Sequence, residues 1–372
     1  MSPPFPRPGL VEEMAREAGF DLVAFGPAGP GEHGAKLEEW IAAGRHGEMD
    51  YLERNLPRLL EPERLLPGAR GAVALGYDYG RDGVALESGG RVARYAAGRD
   101  YHRALGSRMR RLTTALEREG VRGDSLRSGI DAVPILERAL AAQAGIGFLA
   151  KSSGIIHAER GPWLLLAEVL TTEAFAPSAP ATGSCGTCTA CLDTCPTGAI
   201  VAPFEVDARR CLSYTTIELR GPIPHDYRAA QGDWLFGCDI CIEACPFHSR
   251  TGPPHDDPDA RLHPALETWQ LVGLLALTPE QWNRDWTGTA MRRAGRAGLQ
   301  RNAAIVLGNL GQEDAAPVLV KALEDSDAGV RTAAAWALCR LGRGRNEAMR
   351  ALARETDLDV AADMRRSLAE FG

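Results

Sequence analysis

Apolar positions in the first 180 residues change period from one segment to the next. From Gly9 to Ala18 they follow the spacing of an amphipathic helix, whereas Gly71–Tyr77 is an unbroken run of small and apolar residues, the mark of a buried strand. Alternation of these two patterns predicts an α/β domain over residues 1–180. Phe175–Gly183, rich in Pro, Ala and Ser, reads as a connector, and a second stretch between Pro246 and Pro258 carries Gly252, Pro253, Pro254 and several acids. Beyond it the pattern is helical to the end. Asn302–Gly311 aligns with Ala333–Gly342, and a degenerate third copy closes in Leu368–Gly372. Ser326–Val330 and Thr356–Val360 recur in phase before copies two and three. Offsets of 30 and 31 residues, alanine-rich inner faces and Asp caps predict stacked helix pairs of HEAT type. The expected fold is α+β and multidomain: an α/β domain (1–180), a cysteine-rich module (181–255) and a helical repeat (256–372).

A length of 372 residues, with 45% hydrophobic and 24% charged residues, suits two or three ordinary globular domains. The N-terminus carries no apolar signal core or twin arginine, and stretches such as Trp163–Leu166 are far too short to span a bilayer. A reducing cytoplasm, no membrane and a single copy are therefore expected. The net charge of −7 excludes a wholly basic body of the kind that binds nucleic acid nonspecifically, while leaving room for a local patch.

Eight of the nine cysteines change that picture. They form Cys185-x2-Cys188-x2-Cys191-x3-Cys195-Pro196, then Cys211, then Cys238-x2-Cys241-x3-Cys245-Pro246. In this spacing three sulfurs wrap one 4Fe-4S cube and the fourth turns to its neighbour. Cys185, Cys188, Cys191 and Cys245 are expected around one cluster and Cys195, Cys238 and Cys241 around the other. Cys211 stands in for the first cysteine that the second run lacks. A disulfide framework suits small secreted chains, and zinc ribbons seldom use cysteine runs closed twice by proline, so both rivals fit less well. Cys339 lies apart in an apolar helical pattern and is read as core filler.

Arg292, Arg293, Arg296 and Arg301 stand almost unopposed by acid at the start of the repeat. Planar guanidinium forks suit phosphates, so an RNA backbone is one candidate partner and a solvated arginine face the other.

Clusters only store and relay electrons, and the chemistry is expected in the first domain. There Ser128-Gly-Ile-Asp131-Ala-Val-Pro134-Ile-Leu-Glu137-Arg138-Ala-Leu140, continuing to Lys151, strongly resembles the epoxyqueuosine reductase family. The likeness extends through Gly47–Leu52, Tyr95–His102, Gly161–Trp163, both cysteine runs, Cys211–Ile217 and the terminal repeat. Members of that family are cobalamin-dependent tRNA-modifying enzymes. They resemble reductive dehalogenases in joining a corrinoid-binding domain to a two-cluster ferredoxin-like module. The resemblance implies reduction of epoxyqueuosine to queuosine at the tRNA wobble position, with cobalamin and two 4Fe-4S clusters as cofactors and an external low-potential donor as electron source. It makes Asp131 the proton donor, in an apolar setting that raises its pKa; a helix N-cap is the competing role. Arg54, Asn55, Tyr95, Lys151, Ser152, Ser213 and Asp239 lie in matching segments and are carried over, with Asp131, as cobalamin contacts. The chain departs from the family where it reads Ala150-Lys151-Ser152 for Gly-Lys-Asn and Cys245-Pro-Phe-His248 for Cys-Pro-Trp-Asn. Asp100-Tyr-His102 is similar to an Asp-x-His-x-x-Gly cobalt-binding signature, but the glycine comes one place late at Gly106. No lower histidine ligand is expected, and the corrinoid should bind base-off.

Two alternatives belong to other classes. An electron-transfer protein docking through the repeat needs no corrinoid. A reductive dehalogenase usually carries an export signal and lacks the repeat.

Overall fold

The computed structural model describes residues 5–80, 83–250 and 257–371. Helix α1 (Pro8–Glu17) turns Val11, Met14 and Ala15 inward. It is followed by strand β1 (Leu22–Pro27), strand β2 (Gly71–Asp78), helix α2 (Tyr101–Arg118), strand β3 (Leu126–Gly129), helix α3 (Glu137–Ala144) and strand β4 (Leu164–Thr171). The four strands form one sheet in the order β1-β2-β4-β3, antiparallel at every pairing. Every residue of β2 is buried, as its unbroken apolar run requires of a strand covered on both faces. On one face Val73 and Leu75 meet Leu105, Met109, Leu112 and Leu116 of α2 together with α1. On the other, Ala74 meets Ala141 and Ala144 of α3. Small residues permit that approach: a Cβ on Gly26 of β1 would lie 3.2 Å from the Ala144 backbone.

The Phe175–Gly183 connector carries no helix or strand. The second connector lies partly outside the described residues, but its end is fixed: Asp257 accepts from Tyr77 Oη at 2.8 Å and pairs with the buried Arg108.

Five helices make the terminal stack: α4 (Gly295–Asn309), α5 (Ala316–Ala322), α6 (Ala328–Arg340), α7 (Arg345–Arg354) and α8 (Leu358–Glu370). The Asp327 carboxylate caps α6 by accepting from Val330 N, and that of Asp357 caps α8 through Asp359 N and Val360 N. The first copy has no such cap; α4 begins at Gly295, with φ +73°, after a turn of 3-10 helix. The stack keeps only a small cluster of its own, around Cys339, Ala348 and Leu368; its main core is shared. Ala303, Ile305, Val306 and Trp336 share one apolar cluster with Val92 and Ala96 from the first segment and Ile217, Leu235 and Phe236 from the cysteine-rich segment. Strand Trp234–Phe236 pairs in parallel with Arg91–Val92, and Arg228, fully buried, forms a forked ion pair with Asp363 of α8 at 2.6 and 2.8 Å. The three segments therefore meet in a single packed body. Among the described residues no helix is long and apolar enough to cross a membrane.

Candidate active site and iron-sulfur centres

None of the nine cysteines forms a disulfide. Their mutual electrostatics link eight of them in two adjoining groups. Cys191 is influenced by Cys185 and Cys245, and Cys245 by Cys185 and Cys188. Cys238 and Cys241 are both influenced by Cys211, and Cys211 by Cys195. This pattern is compatible with the two sets of four expected from the spacing, which adjoin where Cys191 of the first also influences Cys241 of the second. Among the described residues no three His, Cys, Asp or Glu side chains converge on a single ion. Backbone N–H groups already point at the sulfurs: Ala199 N lies 3.2 Å from Cys195 Sγ and Lys151 N 3.4 Å from Cys185 Sγ. The first set reaches the surface at Cys188, whereas burial pushes the Cys238 and Cys241 thiols of the second set upward. Cys339 is buried in α6, far along the chain from both sets.

Beside the second set lies the polar site of the first domain. Asp239, between Cys238 and Cys241 in the chain, is 3% exposed and accepts the Arg94 N–H at 2.8 Å, which fixes the turn carrying Tyr95. Burial raises the Asp239 carboxyl to about 6. Burial also raises the Tyr95 hydroxyl, and the charges of Asp131 and then Asp239 add to the rise. The edge of the Tyr95 ring meets Tyr101 at 5.6 Å.

Asp131 occupies a left-handed backbone position at φ +46°, uncommon for a residue with a side chain and a strain that folds tolerate mainly at working sites. The chain folds back tightly there, since a Cβ on Gly129 would come within 2.6 Å of Ile135 Cδ1. The Asp131 carboxylate accepts from Tyr101 Oη and lies 3.1 Å from His102 Nε2, and its side chain is 58% exposed. Asp100 caps α2 through His102 N and meets His102 Nδ1 at 2.9 Å. His102, stacked on Tyr101, therefore bridges two carboxylates, and its hydrogen bonds to Asp100 and then to Asp131 lift its pKa to about 9.

Two expectations for Asp131 need correction. It is not a helix cap, because α3 starts at Glu137 with Leu136 in the capping position. Nor is its pKa raised: burial pushes it up, but the bonds from His102 and Tyr101 outweigh that and hold the carboxyl below its ordinary range. The proton of this cluster resides on His102. Sequence reading considered His102 only as a cobalt ligand and missed this role, although its place two residues after the capping Asp100 was visible.

The other predicted contacts divide. Ser152 and Ser213 are half-buried, while Arg54 is exposed and Asn55 Nδ2 donates to Tyr51 O at 2.8 Å. Lys151 faces the first cysteine loop, its Nζ donating to Gly186 O at 2.8 Å and Cys188 O at 2.9 Å. Of the four arginines, Arg292 and Arg293 are exposed. Arg293 pairs with Glu218 at 2.8 Å, lies over Tyr51 and contributes to the field at Asp131. Arg296 is half-buried and donates to Leu277 O and Gln300. Arg301 is 1% exposed and donates to the carbonyls of Thr215, Leu219 and Gly221. It ties α4 to the cysteine-rich segment and cannot meet a phosphate, which corrects its assignment to an RNA surface.

With that geometry in place, known proteins resolve the family. Residues 184–248 match the 4Fe-4S double cluster binding domain, 60–132 match Epoxyqueuosine reductase QueG, DUF1730, and 286–370 match HEAT repeats. An epoxyqueuosine reductase of Xanthomonas campestris pv. campestris is 39% identical over 343 residues, covering 89% of this chain and 95% of the relative. This chain belongs to the epoxyqueuosine reductase family. The Pseudomonas aeruginosa member is 36% identical, with 92% of this chain and 97% of its own length aligned. The crystal structure of epoxyqueuosine reductase with an epoxyqueuosine-modified tRNA-Tyr stem loop superposes with a TM-score of 0.87 at 29% identity, covering 98% of each chain. A Bacillus subtilis structure, described as having its catalytic aspartate loop swung out of the active site, superposes with a TM-score of 0.86 at 29% identity, covering 97% of this chain and 98% of its own.

Proposed function

We propose that this protein reduces epoxyqueuosine to queuosine in tRNA, using a base-off corrinoid supplied with electrons through two 4Fe-4S clusters by an external low-potential donor. The observation that carries this reading is a chain of contacts from the cysteine set to the acid: Asp239, between Cys238 and Cys241, holds the Arg94 N–H, the adjacent Tyr95 meets the Tyr101 ring, and Tyr101 donates to Asp131. Tyr95, Ser152, Ser213 and Asp239 are the groups assigned to hold the corrinoid. The donor set suits one without a protein imidazole, since both His102 nitrogens face carboxylates. When bound, the reduced corrinoid supplies the two electrons that break the epoxide.

Opening the ring and releasing its oxygen as water also consumes two protons, one delivered by the side chains of this cluster and the other drawn from solvent. His102 holds one at neutral pH and faces Asp131, whose exposed carboxyl can pass it toward the substrate oxygen. Tyr101, donating to the same carboxylate, keeps it aimed. The Asp131 segment is taken as the counterpart of the mobile loop in the Bacillus relative. Titrating cobalamin into the anaerobic protein should give saturable uptake with the spectrum of the base-off form. Absence of uptake would overturn the corrinoid reading.

The proton store makes a pH prediction. A raised histidine pKa keeps the imidazolium to higher pH, so this proton source should persist through neutrality and turnover should show a limb that falls as pH rises through about 9. His102→Gln should abolish that limb; a pH-rate profile distinguishes the two.

Arg292 and Arg293 remain as phosphate contacts for the tRNA, Arg293 within electrostatic reach of Asp131. Arg292→Glu should weaken tRNA binding and reduce the slope of log affinity against log salt by roughly one unit or more, without changing iron content. Equal salt slopes for wild type and variant would remove Arg292 from the interface.

A further inference from the structure

Beneath the Asp131 loop lies a buried titratable group with no part in the reaction described above. Glu168 sits in β4 between Ala74 of β2 and Gly129 of β3, and is fully buried. Neither flanking residue carries a side-chain donor, and neither carboxyl oxygen of Glu168 meets a hydrogen-bond donor from a described residue. What stands opposite is the carboxyl of Glu137 in the first turn of α3, close enough for a hydrogen bond. Two carboxyls can bond only with a proton between them, and an isolated buried carboxylate is too costly to persist. Glu137 also accepts the backbone N–H of Asp131, at the strained position. One chain of contacts thus runs from the sheet interior through two carboxyls to the backbone of the proposed acid.

We propose that Glu137 and Glu168 share a proton, and that this bridged pair is a latch positioning the Asp131 loop, released when rising pH removes the proton. Among the described residues Glu168 faces no charged group but Glu137, whereas Glu137 also faces Asp131, Arg138, His102 and the Tyr101 hydroxyl. Burial raises both carboxyls, and the negative charge of Asp131 raises Glu137 further, against the opposing influence of Arg138 and His102. The proton therefore survives past the ordinary carboxyl range and leaves as pH climbs, which is the direction the latch requires. Once it has gone, two anions oppose each other beside a third, and Glu137 is driven off the Asp131 N–H. Nothing else described accepts that N–H, so the strained turn loses its backbone restraint and is held only through the Asp131 carboxylate by Tyr101 and His102.

The inference rests on Asp131 as the acid, but its test reads the loop without turnover. Hydrogen exchange of the 129–136 segment, corrected for intrinsic rates, is measured on the full-length anaerobic protein between about pH 5.5 and 8, below the His102 transition. Protection in the wild type should fall about tenfold across that window. Glu168→Gln supplies a permanent donor to Glu137, and Glu137→Gln donates to Glu168 while still accepting from Asp131. Both variants should keep high, pH-independent protection. A flat wild-type profile, or variants that follow the wild-type fall, would overturn the latch and leave the acid role of Asp131 standing. An active Asp131→Asn enzyme would do the reverse.

Discussion

Asp131→Asn will lower conversion of epoxyqueuosine by about 10²–10⁴-fold, the usual contribution of a positioned proton donor. The substitution is chosen because so little else changes. Asn is among the residues that tolerate φ +46°, and its side-chain oxygen can still accept from Tyr101 and His102. What it cannot do is take a proton from His102 and release it to a leaving oxygen. Iron content, corrinoid uptake and tRNA affinity should therefore match the wild type, while single-turnover formation of queuosine under anaerobic conditions collapses. Full activity in this variant would remove Asp131 from the acid role.

Cys241→Ser should cost the protein roughly half its iron and all detectable turnover. Cys241 belongs to the set beside Asp239 and Tyr95, so its loss interrupts electron delivery at the step nearest the site, even with the surface set at Cys188 intact. Iron analysis and electron paramagnetic resonance of the reduced variant would show one remaining cluster. Cys339→Ala is the matching control: this thiol is buried in α6 among apolar neighbours, and its replacement should leave both signals at wild-type strength. Retention of full iron by Cys241→Ser would contradict the ligand assignment.

What could be read from sequence depended on whether the physics was local. A cube needs sulfurs at fixed short spacings, so both cysteine runs, and the stray Cys211, were legible without coordinates. The α1 helix, the fully buried β2 and the in-phase Asp327 and Asp357 caps were likewise written into short windows of sequence. Long-range facts were not. Tyr101 and His102 reach Asp131 across about 30 positions, and their bonds reverse the pKa shift expected from its apolar neighbours in sequence. Arg301 looks like its neighbours Arg292 and Arg293 in the string, but α4 turns it into the seam with Thr215 and Gly221, where carbonyls rather than phosphates satisfy its fork. The domain boundaries at 180 and 255 follow composition, yet the core crosses them: Val92, Phe236 and Val306 pack in one cluster. Composition marks where the chain changes character, not where its surfaces are finally buried.

The shared core has a functional consequence. An electron path is only as well defined as the positions of its stations, and here the repeat, the cysteine loops and the Tyr95 turn are fastened by the Arg228–Asp363 pair, the Arg301 carbonyl contacts and the Asp239 bond to Arg94 N. The repeat thus braces the cysteine-rich segment while presenting Arg293 within electrostatic reach of Asp131.

The most direct measurement is anaerobic incubation of epoxyqueuosine-bearing tRNA with the iron-replete protein, cobalamin and a low-potential chemical reductant, followed by nucleoside mass analysis. The account predicts queuosine, one oxygen lighter than the starting nucleoside, formed only when protein, corrinoid and reductant are all present. Unchanged epoxyqueuosine, from protein that carries both clusters and has taken up cobalamin, would contradict it.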